Sequence, residues 1–465
     1  MHRFIHYLYY LLIQKQKFMK KSLLLLSLIT TIGVQAQNFW TEVSPFPSNS
    51  NLIARQISIV DNNVVWVNGY NYGDIFDTTS KWSHSSDSGL TWTSGIIDLE
   101  NSNLGVSSIF AISASTAYAS VYSKILTDFG GVWKTQDGGI TWVNQPTATF
   151  NTASFANFIH FFDANNGIVV GDPESGYFEI YTTTDAGENW VRVPQINLPL
   201  IIHGEYGYTL NFETKGSTIW FGTSQGRIFK SNNNGLNWTV SQTPVADIQT
   251  AKYAFKNVNE GILITDEWQS WRTIDGGTTW NSSLLTGTYR NSYLCFVPET
   301  LNTYFSIGND YNLDTRGTSY STDGGNYWID LNNVDTDPVI PNSVEFKNGT
   351  IGFCIGYYQS EIPMLSNQKV FKLTDPLNLF LKTDTFSLKN KVIVSPNPTS
   401  GLVKISGNSI REITIVDVLG KTILNEKYNL LNEVSLDIAS FENGIYVAKI
   451  NSDGGISSTI KIMKN

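Results

Sequence analysis

One eight-residue pattern constrains this chain more than any other feature. SSDSGLTW (85 to 92) is followed by TQDGGITW (135 to 142), TTDAGENW (183 to 190), SNNNGLNW (231 to 238), TIDGGTTW (273 to 280) and STDGGNYW (321 to 328), with tryptophan spacings of 50, 48, 48, 42 and 48. Each position suits a tight hairpin: the hydroxyl and the carboxylate can accept backbone N–H groups, glycine supplies a positive φ, and tryptophan packs between neighbouring sheets. Asn233 stands where the other octets have Asp87, Asp137, Asp185, Asp275 and Asp323. A neutral side chain therefore suffices, which makes the carboxylates braces of a turn rather than acids or calcium ligands.

Two further strand-like runs precede each octet, for example FIHFFD and GIVVGD before TTDAGENW. With the strands entering and leaving the octet they make four strands per unit, and a period in the forties is that of propeller blades. The runs VEFKN (344 to 348) and IGFCIGY (351 to 357), then KVFKLTD, repeat the pair once more without an octet, while NFWTEVSP (38 to 45) resembles the strands that follow octets. The expected fold is all-β: a seven-bladed β-propeller over residues 37–373 whose last blade borrows its outer strand from the N-terminus, with Trp40 near Phe371. Such closure removes two sheet edges. The octets resemble the Asp-box, or BNR, repeat.

Composition agrees, since 13 Trp, 22 Tyr, 25 Phe and 37 Gly with 15% charged residues suit many short strands and tight turns. MKKSLLLLSLITTIGVQAQ, from Met19, reads as a signal peptide ending at Ala36, its apolar run too short for a bilayer span of roughly 20 residues. Met19 is the expected start. Without residues 1–36 the chain has 26 basic and 40 acidic residues, a net charge of −14, which argues against nucleic acid and anionic membranes. Cys295 and Cys354, the only cysteines, lie in apolar runs and read as buried thiols. No cofactor, no metal and a monomer are expected.

Residues 374–390 read as a linker. From 391 to 465 come short alternating strands with Gly and Asn-Pro turns, a small C-terminal β-sandwich pattern. SPNPTSG (395 to 401), DVLGK (417 to 421), FENGIYVAKI (441 to 450) and the final KIMK resemble the C-terminal sorting domain of type IX secretion cargo. That resemblance implies recognition by the type IX translocon of a Bacteroidota-type bacterium and a secreted or outer-membrane surface-attached product. Pro396, Asn397, Pro398, Gly401, Gly420, Gly444, Tyr446 and Lys464 occupy the matching positions, where turn formation and packing are equally served.

Octet turns share one face of the ring, so a site is expected among the loops of the other. Those loops offer Asp172, Glu174, Glu205, Asp266, Glu267 and Asp310 as paired carboxylates for glycoside hydrolysis, or as a solvated acidic rim. Tyr72, Asp74, Tyr122, Tyr177, Tyr206, Trp268, Tyr311 and Arg316 are the ligand-binding candidates. Ser224 in GTSQG matches a nucleophile-elbow pattern but sits between two strands, and His84, His160 and His203 lack metal-ligand spacing. Asp-box sialidases use an arginine cluster, for which Arg55, Arg227, Arg290 and Arg316 are available, but they have six blades, and xyloglucanases of this repeat class pair two propellers. The segments 167 to 190, 203 to 205 and 219 to 238 resemble bacterial propellers related to photosystem II assembly factors, often labelled oxidoreductases, yet no nucleotide, flavin or haem motif is present. The expected function is binding of an unknown glycan, polymer or protein ligand through the loop face, with a glycoside hydrolase as the alternative.

Overall fold

The computed structural model describes residues 40–43, 45–46, 52–71, 80–125, 127–308, 316–331, 339–358, 368–374, 393–418, 420–452 and 457–465. The expected signal peptide and all of the linker except Thr374 lie outside them. The chain divides into two compact units, Met1–Leu379 and Phe380–Asn465.

The first unit contains seven antiparallel sheets of at least four strands. Blade 1 runs Leu52–Ile59, Val65–Asn71, Lys81–Ser85 and Thr93–Ile96 from its first strand to its fourth. Blades 2 to 6 repeat this order, beginning at Leu104–Ala111, Ala156–Phe161, Gly207–Lys215, Ala251–Phe255 and Tyr293–Phe296. Blade 6 gains a short parallel edge piece, Thr286–Gly287. Blade 7 takes Val339–Phe346, Gly352–Tyr358 and Lys369–Leu373 from the end of the repeat and Trp40–Val43 from its beginning. Trp40 lies opposite Leu373 and Glu42 opposite Phe371, and Trp40 and Phe371 share one core cluster. The ring thus closes as the sequence leads one to expect.

Burial follows strand position. Second strands are sandwiched between neighbouring blades and read as apolar runs; all of Thr218–Thr223 and Gly261–Thr265 is buried. First strands face the central channel and alternate, as in Val339–Phe346.

The octet geometry explains why it is repeated. In blade 2, Gly139 N–H donates to Thr135 Oγ1 (2.9 Å), the Thr135 hydroxyl donates to Asp137 Oδ1 (2.9 Å), and Asp137 accepts from Thr141 N–H (2.9 Å) and the Thr141 hydroxyl (2.6 Å). The Trp142 indole donates to Gly139 O at 3.1 Å. Asn233 accepts the same bonds through its amide oxygen, from Ser231 Oγ at 2.9 Å and Asn237 N–H at 3.0 Å. The finished turn then receives donors from the preceding blade. Tyr118 OH and Lys134 Nζ of blade 2 reach Ala186 O in the octet of blade 3, Trp220 of blade 4 reaches Gly276 O, and Arg272 of blade 5 reaches Gly324 O. A faithful turn is a fixed docking point, and in blades 3, 5 and 6 it latches one blade to the next.

The second unit is a β-rich domain built on the long strands Leu402–Val416 and Thr422–Asp437, with Ile393–Ser395, Gly444–Ser452 and Ser457–Lys464 alongside. Its core includes Val403, Ile405, Ile413, Ile415, Ala448, Ile450 and Ile462.

Candidate functional site

On the face opposite the octets, second and third strands are joined by short loops in blades 3, 4 and 5. Asp172, near the end of the second strand of blade 3, accepts from the Asn157 amide (2.8 Å) and from Gly207 N–H of blade 4 (2.9 Å). It is a tie between two blades, and burial holds its carboxyl above the ordinary range despite these bonds. Glu174 accepts from Ser175 Oγ at 2.6 Å and pairs with Arg192 at 3.0 Å; those hydrogen bonds lower its pKa.

Glu205 is more fully enclosed. Its side chain is 0% exposed and accepts from Arg227 Nε (3.0 Å), a second Arg227 nitrogen, Thr223 Oγ1 (2.5 Å) and Ile202 N–H (2.9 Å). Arg227 is thereby committed to this pair, and Arg290 to Asp330 at 2.9 Å. Asp266 and Glu267 are exposed, with Lys252 Nζ 3.9 Å from Asp266. Asp310, Tyr72, Asp74 and Tyr311 lie outside the described residues.

Among the aromatic candidates, Tyr122 is half-buried against Phe155, with ring centroids 4.2 Å apart, and Tyr177 packs on the core of blades 3 and 4. Tyr206 is 46% and Trp268 40% exposed. Tyr206 meets Tyr208 edge-on at 5.4 Å, and Tyr208 OH is held by Asp247. Arg316, half-buried, precedes the third strand of blade 6. Ser224 lies in a strand-to-strand loop where its Oγ accepts from Tyr206 N–H at 3.1 Å.

The channel holds two carboxylates, Glu213 and Glu345, that were not among the sequence candidates. First strands enclose a cavity of about 360 Å³ lined in part by Arg55, His160, Glu213, Lys215, Tyr293, Cys295 and Glu345. Desolvation by the channel walls pushes the carboxyls of Glu213 and Glu345 up to about 7, although Glu345 remains exposed to lumen solvent, and the charge of Glu213 adds to the effect on Glu345. Lys215 Nζ lies 3.9 Å from Glu213 and 5.5 Å from the Phe296 ring centre. Burial lowers His160 to about 3, so its imidazole is neutral. The signal was present in VEFKN, where period-two alternation turns Glu345 away from Val344 and Phe346. Among the described residues, no group of three or more His, Cys, Asp and Glu side chains is arranged to hold a metal ion. Cys295 and Cys354 do not form a disulfide.

In the second unit the motif residues have visible mechanical roles. Asn397 accepts from Met463 N–H (2.8 Å) and donates to Lys461 O (2.7 Å), fastening the SPNP turn to the last strand. Tyr446 is buried with its hydroxyl on Glu442 O, Lys464 reaches Asn443, and a side chain at Gly401 would meet Ala439. Gly420 has φ +84°, while Gly444 has open space around it.

Comparisons with known proteins agree with both units. Residues 393–465 match the secretion system C-terminal sorting domain, and residues 125–251 match the photosynthesis system II assembly factor YCF48. Among solved structures, YCF48 bound to D1 peptide is similar with 16% identity over 72% of this chain and 96% of that one, TM-score 0.50. YCF48 from Cyanidioschyzon merolae has 15% identity over 72% and 98%, TM-score 0.44. The GH74 xyloglucanase from Xanthomonas campestris has 12% identity over 88% and 65%, TM-score 0.42. No curated protein matches. The chain is a BNR-type propeller with a type IX sorting tail, which directs its export to the cell surface or the extracellular space.

Proposed function

We propose that the propeller is a binding module, secreted or held at the cell surface, which engages a glycan, polymer or protein through its loop face without catalysis. The observation that carries this reading is a division of labour on that face. Asp172 and Glu205, its enclosed acids, are engaged by neighbouring donors, while Tyr206 and Trp268 present their rings to solvent. Glycoside hydrolysis asks for one protonated acid and one free carboxylate across the scissile bond, roughly 5 to 9.5 Å apart. A carboxylate already clamped by an arginine suits neither role. YCF48 bound to D1 peptide supports binding as a use to which this fold is put.

The test is a glycan array on the mature secreted chain, run beside a reducing-sugar release assay on every glycan that binds. Binding without release supports the reading. Release that disappears in Asp266→Asn or Glu267→Gln would overturn it in favour of a hydrolase.

A further inference from the structure

The loops between the second and third strands of blades 4 and 5 share one backbone. In blade 4, Gly226 N–H donates to Thr223 O (3.1 Å) and Ser224 N–H to Tyr206 O (3.0 Å); in blade 5, Trp268 N–H donates to Thr265 O (3.0 Å) and Asp266 N–H to Thr250 O (3.0 Å). The residue three places after the threonine is left-handed in both, Gly226 at φ +64° and Trp268 at φ +66°. That conformation suits glycine and is unfavourable for a bulky side chain. Blade 5 nevertheless places its largest available side chain there. Strain retained at one position of an otherwise repeated turn points to a use for the side chain itself.

The indole is not hidden in the core, since Trp268 is 40% exposed. It is instead held in position. Tyr289 packs edge-on to it with centroids 5.2 Å apart and donates its hydroxyl to Trp268 O at 2.6 Å, and the Asn291 amide fixes Asp266 O at 2.8 Å. In the same loop Asp266, Glu267 and Gln269 are exposed, with Lys252 Nζ 3.9 Å from Asp266. The loop thus offers one exposed indole, backed by Tyr289, between polar neighbours in sequence. The centre of a protein interface needs a wider apolar patch that water leaves on docking. A sugar ring needs one flat apolar surface for its C–H face and acceptors at the edge for its hydroxyls, and two carboxylates disfavour an anionic sugar.

We propose that Trp268, flanked by Asp266 and Glu267, is a subsite for one neutral pyranose unit of a polysaccharide. This rests on the loop-face binding reading. The ring stacks on the sugar face, the carboxylates accept its hydroxyls, and Tyr289 keeps the platform from folding away.

Affinity electrophoresis of the mature chain through gels containing a neutral β-glucan, mannan or xylan, or polygalacturonate, tests it. Wild type is expected to be retarded by at least one neutral polymer and not by polygalacturonate. Trp268→Gly is the informative variant, because the backbone already favours glycine; retardation is expected to weaken at least tenfold while the melting temperature does not fall, with Trp268→Phe keeping part of it. Retention of full binding by Trp268→Gly, with loss in Tyr206→Ala, overturns the subsite and leaves the loop-face reading standing. Retention in both variants overturns the two together. Retardation by polygalacturonate alone, or by none of the polymers, overturns the neutral-sugar assignment.

Discussion

The two faces of the propeller follow different rules. On the octet face six turns have nearly the same sequence and the same hydroxyl-to-Gly and Asp/Asn brace, and in blades 3, 5 and 6 the turn presents the carbonyl of its fourth residue to a donor from the preceding blade. On the loop face, the same backbone in neighbouring blades carries Gly226 in one and Trp268 in the other. Repetition therefore marks where the ring is joined, and departure from repetition marks where a side chain is free to serve something else. The division is incomplete, since on the loop face Asp172 ties blade 3 to blade 4 and Glu205 pins the connecting loop between them to blade 4.

Removing the strongest of those ties tests the comparison most severely. Glu205→Ala leaves Arg227, 12% exposed, without its carboxylate. Breaking an enclosed ion pair from one side costs about 3–5 kcal/mol, so urea unfolding is expected to show a loss of that order. A loss below about 1 kcal/mol would mean that the pair is as dispensable as a surface one and that the loop face contributes little to the ring.

The channel belongs to neither face and gives a smaller, pH-dependent effect. Glu213 and Glu345 titrate near 7 in the folded ring against an ordinary value of 4.5, facing Lys215, Lys347, Tyr293 and Cys295. Below about 4.5 both carboxyls are protonated in the folded and unfolded chain alike, and neither state is favoured. As pH rises from there through about 7, the unfolded chain ionises freely while the folded ring resists, so stability falls and then levels off. Lumen solvent reduces the effect to about 1–2 kcal/mol for the pair. Melting curves from pH 4 to 8 are expected to lose this slope in the Glu213→Gln, Glu345→Gln double variant.

Trp268→Gly is expected to raise stability by about 1 kcal/mol, since it relieves a left-handed tryptophan at a position where blade 4 already uses glycine. Differential scanning calorimetry would register this as a higher melting temperature. A fall would show that the indole contributes packing, which blurs the contrast between the faces.

The ring and its closure were readable in the sequence because octet, strand runs and orphan N-terminal strand all repeat a single pattern. The site was readable only in part. Trp268 and Tyr206 stood out as loop aromatics, but the left-handed backbone at Trp268 becomes visible only when TSQGR is laid beside TDEWQ. Asp172 and Glu205 resembled rim acids, because whether a loop carboxylate is enclosed depends on partners such as Gly207 and Arg227 that the fold, not local sequence, supplies. Glu213 and Glu345 were missed for a related reason. Alternation shows that each points off its sheet, and ring closure alone brings blades 4 and 7 to one lumen.

The smallest expected effect bears on why the octet keeps its acid. Asp137 is held down to about 2, chiefly by the side-chain hydrogen bond from Thr141 and then by Thr141 N–H. Asn233 makes the equivalent backbone bond at 3.0 Å with a neutral amide. Asp137→Asn is therefore expected to leave the melting temperature at pH 7 within the precision of the scan. The two proteins should part only in acid. A lowered folded pKa gives stability that is present above the ordinary carboxylate range and is lost as pH falls through about 2; the asparagine variant has no such step. A large loss at pH 7 would show that the charge itself, and not the acceptor, braces the turn, and blade 4 would then be the weak joint of the ring.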